Sequence, residues 1–324
     1  MPATKGIPVS SALDAPTDPS RGSGVSPAPG REFVIESRSQ RQQIIRRFFR
    51  NPSAVIGLVV FLLLVLVAYI GPIFYKYSES YLPENYDAAH SGPGTGGHIL
   101  GQGNLGRDLL AQIMAGIQRS LYIALIVMIV AGTIGIVYGA VSGYFGGRTD
   151  NTMMRVLDFF LVLPSLIVIM VVSEKFPGLR AFWAIGLFLA LFGWFDLARL
   201  VRGSFLSLRE REFVEAAHAI GASNTRIVFK HLVPNAAGTI IVWMTLAGAT
   251  AVLGEATLSY LGYGVQGGGY SLGRLVSDGV EAAGQRPWMF YFPAIALILI
   301  VLSINLIGDG IRDAVDPSRA RVRA

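Results

Sequence analysis

Six long apolar stretches constrain this chain more than any other feature: residues 54–75, 120–144, 156–172, 181–200, 236–260 and 288–307. Each is long enough to cross a hydrocarbon core about 30 Å thick as a helix. In lipid a spanning segment must satisfy its own backbone hydrogen bonds, which leaves helices as the solution for runs of this length. The expected fold is therefore an all-α integral membrane protein with six transmembrane helices. Composition fits that class, with 52% hydrophobic and only 15% charged residues. Pro164 falls inside the third stretch and predicts a kink there.

Orientation follows from the basic residues. With the amino terminus inside, 20 of the 27 Lys and Arg lie in cytoplasmic segments and 7 in outer ones; the bias of Lys and Arg toward the inside selects this arrangement. It places both termini and the loop 207–235 in the cytoplasm. Residues 1–38, rich in Pro, Gly and Ser, read as a disordered cytoplasmic tail. They hold no apolar h-region of a signal peptide. Residues 39–53 follow as an interfacial helix in which Ile44, Ile45, Phe48 and Phe49 alternate with Arg41, Arg46, Arg47 and Arg50. A nucleic-acid arm is the competing reading of such a run, but a membrane span begins at once. Residues 54–316 are expected to form the six-helix membrane body and 317–324 a short cytoplasmic tail.

Within the spans, charges are few. Arg155 with Asp158 and Asp196 with Arg199 are expected to pair at i, i+3 spacing, near the inner ends of their spans. Glu255 stands alone toward the outer end of the fifth, a functional candidate weighed against a packing role. Gly135, Gly139 and Gly143 recur every four residues and predict a close helix–helix contact. His90 and His98, in the outer loop, read as solvated residues rather than a metal site. The chain has no cysteine, no P-loop to cradle nucleotide phosphates and no arrangement suited to hydrolysis. The scarcity of midplane charge disfavours a self-contained secondary carrier or channel, the alternative class of function.

The segment Arg209–Asn235 is basic, through Arg209, Arg211, Arg226 and Lys230. Residues 207–220 read as a short amphipathic helix with Phe213, Ala217 and Ile220 on one face. Gly221 ends it in a left-handed turn, Ser223 caps a second helix, and Pro234 marks the start of the next span. One reading of this elbow is a loop attracted to anionic lipid. The other rests on its residues, because Glu215-Ala216-Ala217, Gly221 and Leu232-Val233-Pro234 resemble the EAA loop of ABC importer permeases.

Further motifs carry the same resemblance. Leu100-Gly101 and Gly106-Arg107-Asp108 are similar to the GTDxxGRD stretch of dipeptide and oligopeptide permeases, although Gln102 and Gly103 depart from it. Ser142 to Gly147 with Asp150, Leu253 to Gly264, and Asn305 to Pro317 resemble the inner turn, the fifth-span ending and the C-terminal signature of the C-type subunit. The resemblance spans roughly residues 40–317. It implies a type I ABC importer fold in the bacterial plasma (inner) membrane. It implies a homologous B-type permease partner, two ATPase subunits or domains, and an extracytoplasmic binding protein. This chain would itself be non-catalytic and hold no cofactor, with ATP and Mg on the ATPases. Glu215, Ala216, Ala217 and Gly221 would form the ATPase contact. Relatives import dipeptides or oligopeptides, and some take nickel chelates, glutathione or other small solutes; the residues of this chain leave that choice open.

Overall fold

The computed structural model describes residues 40–83, 91–266 and 269–315. The expected tails at 1–38 and 317–324, and His90, lie outside the described residues. Among the described residues the helices are α1 (Gln40–Arg50), α2 (Pro52–Phe74), α3 (Leu109–Phe145), α4 (Gly147–Leu161), α5 (Ser165–Lys175), α6 (Phe182–Leu208), α7 (Glu212–Ala219), α8 (Asn224–Arg226), α9 (Val233–Tyr260), α10 (Leu272–Ala282) and α11 (Trp288–Val315).

Among the described residues five runs are long and apolar enough to cross a membrane: α2, α3, α6, the continuous stretch Asn224–Tyr260, and α11. The third expected span, 156–172, is not one straight helix. Instead α4 and α5 meet at a 66° bend, sharper than the kink read from Pro164. Proline offers no N–H, and its ring crowds the carbonyl four residues back, here that of Phe160. The chain closes α4 with a tight turn in which Leu163 N–H donates to the Phe160 carbonyl at 3.1 Å, then restarts after Pro164. Pro234 has a milder effect. It follows a π-helical turn over Ile227–Leu232, the wider winding that takes up a residue with no donor to give.

Two elements were hidden from an apolar-window reading. Helix α3 begins at Leu109 rather than near 120, because Gln112, Gln118 and Arg119 dilute its first turns. Asp108 caps it, its side chain accepting from Ala111 N–H at 2.8 Å. At 37 residues and 1.5 Å per residue, α3 outreaches the hydrocarbon core. Helix α10, between the last two spans, is amphipathic: Ser271 caps it by accepting from Arg274 N–H at 3.1 Å, while Leu272, Leu275 and Gly279 face inward.

Helix α3 packs along α6 on one side and against α9 on another; α11 touches α2, α9 and α10. The Gly135/Gly139/Gly143 stripe meets α6 of the same chain. A Cβ added at Gly135 would lie 2.8 Å from Leu197 Cβ, and one at Gly143 2.7 Å from the Arg202 carbonyl oxygen. The contact is thus internal to the subunit. Several helix ends share one end of the bundle. Asn51, which caps α2, donates to Asp313 near the end of α11 at 3.3 Å, and Gly238, early in α9, lies against Val315.

The charge pairs also differ from the i, i+3 expectation. Arg199 reaches across to Asp158 at 2.5 Å, joining α6 to α4. Asp196 is left near the middle of α6, exposed, with no hydrogen bond or ion pair among the described residues. Short-range spacing lost to interhelical geometry because long Arg side chains sample neighbouring helices as readily as their own. Glu255 is fully buried, accepting from Ser259 Oγ at 2.6 Å and from Ser271 Oγ at 2.5 Å. It fastens the C-terminal end of α9 to the cap of α10.

Candidate functional site

The elbow is built from a turn at 209–211, α7, a glycine reversal and α8. Helix α6 runs on through Leu208 before the turn, so the helical run 207–220 divides in two. Helix α7 ends in a Schellman arrangement: Ala222 N–H donates to the Ala217 carbonyl at 3.0 Å and Gly221 N–H to the His218 carbonyl at 2.9 Å. Gly221 takes φ +78°, the left-handed conformation that glycine adopts without steric cost. Ser223 then accepts from Arg226 N–H at 3.4 Å as the cap of α8.

The buried face of α7 is Val214 and Ala217, which pack with Ile227, Val228 and Leu232 beneath them. The three residues read as one face, Phe213, Ala217 and Ile220, therefore divide between the two sides of the helix. Phe213 is 38% exposed and Ile220 85% exposed. With Glu215, Ala216 and Gly221, all exposed, they form the outer surface of the elbow. Of the four candidate contact residues, three lie on this surface, and Ala217 sits beneath it, 5% exposed.

One set of bonds ties together the helices at the base of the elbow, and two more hold the elbow to them. Arg202 on α6 grips Asp150 of α4 with two bonds, Nε to Oδ1 at 2.5 Å and Nη2 to Oδ2 at 2.6 Å. Ser142 Oγ donates to the same carboxylate at 2.5 Å. Arg209 Nη1 donates to the Gly143 carbonyl at 3.4 Å, so this residue serves the bundle, whereas Arg211, Arg226 and Lys230 are exposed. Tyr144 Oη donates to Asn224 Oδ1 at 2.9 Å and lies 3.3 Å from His218 Nε2. The turn Ser142–Gly147 thus braces both arms of the elbow. Tyr144, His218 and Asn224 were missed by sequence reading, since nothing local joins positions so far apart. Arg202→Met should leave a buried carboxylate unpaired, costing about 3–5 kcal/mol. The measurement is the thermal midpoint of the purified subunit, expected to fall well below that of wild type.

At the opposite end of the bundle, residues 91–108 pack around the start of α3. His98, 4% exposed, is not a solvated residue. Its Nδ1 lies 2.7 Å from Asp108 Oδ2, and its Nε2 2.9 Å from Gln102 Nε2. Tyr75 Oη donates to Asp108 Oδ2 at 2.9 Å; burial first, and then the carboxylate, push its hydroxyl above the ordinary tyrosine range. Trp288 Nε1 donates to the Gln102 carbonyl at 3.1 Å. Gln102, a departure from the familiar motif, is thus a bonded part of this loop. The other departure, Gly103, leaves room for Gln112, whose Oε1 would lie 2.8 Å from an added Cβ.

Comparison with known proteins agrees with this architecture. Residues 135–321 match the family model described as binding-protein-dependent transport system inner membrane component. Residues 39–93 match the N-terminal TM domain of oligopeptide transport permease C. The oligopeptide transport system permease protein OppC of Mycobacterium tuberculosis (strain ATCC 25618 / H37Rv) is 44% identical over 290 residues, covering 90% of this chain and 99% of that protein. The OppC proteins of Bacillus subtilis (strain 168) and Escherichia coli (strain K12) are each 37% identical, covering 87% and 88% of this chain and 91% and 94% of theirs. Among solved structures, an inward-facing form of the MetNI methionine ABC transporter aligns with TM-score 0.52 at 21% identity, over 63% of this chain and 96% of that one. That likeness is one of fold. The chain belongs to the family of binding-protein-dependent transport system inner membrane components, the multi-pass permease subunits of ABC importers.

Proposed function

We propose that this subunit forms half of a membrane path for short peptides, driven by ATPase partners that dock on the outer surface of the elbow. The observation that carries the docking site is the division of α7 into a buried face and a free one. Val214 and Ala217 anchor the helix, while Phe213, Ala216 and Ile220 leave an apolar strip exposed beside Glu215. Exposed apolar strips of this kind mark contact sites. Glu212 and Glu215 flank it, which disfavours anionic lipid and suits a protein groove carrying Arg or Lys. Peptides are the solutes of the oligopeptide and dipeptide permeases that this chain resembles. On this reading a B-type permease supplies the other half of the path and an extracytoplasmic protein delivers the solute. ATP and Mg belong to the ATPases, and both termini lie in the cytoplasm of the cell bounded by the inner membrane.

The test is reconstitution. The purified assembly should take up a labelled peptide only with ATP and the binding protein, and this chain alone should neither transport nor hydrolyse ATP. ATP-independent uptake by this chain alone would establish a self-contained carrier instead.

Orientation has its own check, made simple by the absence of cysteine. Thr95 and Thr225 are exposed at opposite ends of the bundle. A Thr95→Cys chain in intact cells should react with an impermeant thiol reagent, and a Thr225→Cys chain should react only after the membrane is opened. The reverse pattern would invert the topology.

A further inference from the structure

A cavity of about 530 Å³ opens between α3, α5, α6 and α9, beside the break at Pro164. Its wall is largely apolar and includes Phe192 and Trp243, and Asp196 contributes the one charged side chain. That carboxylate is not neutralised from its own helix, since Arg199 is taken by Asp158 and Arg202 by Asp150. Thr250 and Thr257 stand in the same wall. Each hydroxyl donates its proton back to its own helix, Thr250 to the Leu246 carbonyl at 3.0 Å and Thr257 to the Leu253 carbonyl at 2.9 Å. What these two side chains offer the cavity is therefore oxygen lone pairs.

A charge inside a membrane-spanning helix is costly against hydrocarbon and marks a pathway or a partner. Here the mainly apolar wall offers a few oxygen acceptors, carries one negative charge, and includes two aromatic side chains, a residue type whose ring faces attract cations. We propose that this cavity holds the ammonium group of the solute as it crosses, with Asp196 as its counter-charge and the Thr250 and Thr257 oxygens as further acceptors. Resting on the peptide reading above, the inference identifies that ammonium as the peptide's amino terminus. The site passes the group on because a single carboxylate beside an open, mainly apolar wall attracts without enclosing.

The test uses the complete importer in lipid nanodiscs, with Thr250→Cys as the reporter. A cationic trimethylammonium-ethyl methanethiosulfonate and the anionic sulfonatoethyl analogue are compared, each relative to its rate with a small free thiol. The cationic reagent should be favoured on the order of tenfold, and Asp196→Asn should return the ratio to near unity. No modification of the cysteine, or a preference that survives Asp196→Asn, overturns the proposal. Uptake supplies the second readout. A tripeptide with a free amino terminus should enter about tenfold faster than its acetylated form, and Asp196→Asn should abolish that preference while Asp196→Glu keeps most of it. Equal preference in wild type and Asp196→Asn overturns the assignment. So does an Asp196→Asn chain that no longer assembles where Asp196→Glu does, which would make the carboxylate a subunit contact. If the labelling result holds but wild type imports no peptide, the cation site stands and the peptide reading fails.

Discussion

A Gly221→Val importer is expected to insert and assemble its membrane subunits yet lose ATP-driven uptake. No heavy atom lies within 4 Å of a Cβ added at Gly221, so valine meets no steric obstacle there. The cost comes from the backbone alone. Holding a β-branched residue at φ +78° is an outlier conformation worth about 1–3 kcal/mol. The segment relieves it by opening the two Schellman bonds and turning α8 away from α7. Ala222, half-buried behind the reversal, and the Tyr144–Asn224 bond go with it. If the elbow transmits ATPase closure, a shift of that size lowers docking by about ten- to a hundredfold. Glu215→Lys should act on the same step by charge reversal, with no strain on the fold. Gly221→Asn should fall between, since Asn tolerates the left-handed region. Co-purification of the ATPases and uptake by vesicles are the measurements. Wild-type values of both in Gly221→Val would remove the elbow from the coupling role and leave it a lipid-attracted loop, whose sensitive residues would be Arg211 and Arg226.

The spans were legible because membrane crossing needs length and apolarity, and both are local properties. Residues 54–75 and 288–307 came within a few positions of the cores of α2 and α11 for that reason. Legibility ended where polarity served another purpose. The first eleven residues of α3 carry Gln112, Gln118 and Arg119. Gln118 donates to the Ala68 carbonyl at 2.6 Å, and Arg119 grips Glu79 with bonds of 2.7 and 2.8 Å. These residues look like loop and act as helix because their partners are distant in sequence. The elbow shows the same limit on a smaller scale. Gly221 and Ser223 carry their conformational meaning in their own chemistry, and the structure places them in the turn and cap those chemistries favour. Which face of α7 is buried depends on what the turn Ile227–Leu232 presents beneath it, and helical spacing alone grouped Phe213 and Ile220 with Ala217. The charged pairs failed most plainly, because i, i+3 spacing competes with every neighbouring helix, and Asp158 won Arg199 from Asp196.

Gly139→Leu should prevent the subunit from folding rather than weaken its association with a partner. An added Cβ at Gly139 runs into the backbone carbonyl of Ala198 and lies 2.8 Å from Val201 Cβ. Side chains can rotate away from an intruder; a carbonyl in the middle of α6 cannot move without its helix. Overpacking a core costs about 1–3 kcal/mol when side chains absorb it, so a clash with backbone should exceed that range. Displacing α6 would also pull Arg202 from Asp150 and Arg199 from Asp158, and with them the base of the elbow. The expected result is collapse of the yield of monodisperse protein, with Gly139→Ala already lowering the thermal midpoint. Gly203→Ala is the matched control: it lies on α6 with nothing within 4 Å of the added Cβ. There, alanine should stabilise by up to about 1 kcal/mol through helix propensity. The opposite signs of two glycine-to-alanine changes on facing helices separate close approach from propensity. A Gly139→Leu chain that purifies with the wild-type midpoint would mean that α3 and α6 do not touch at this stripe.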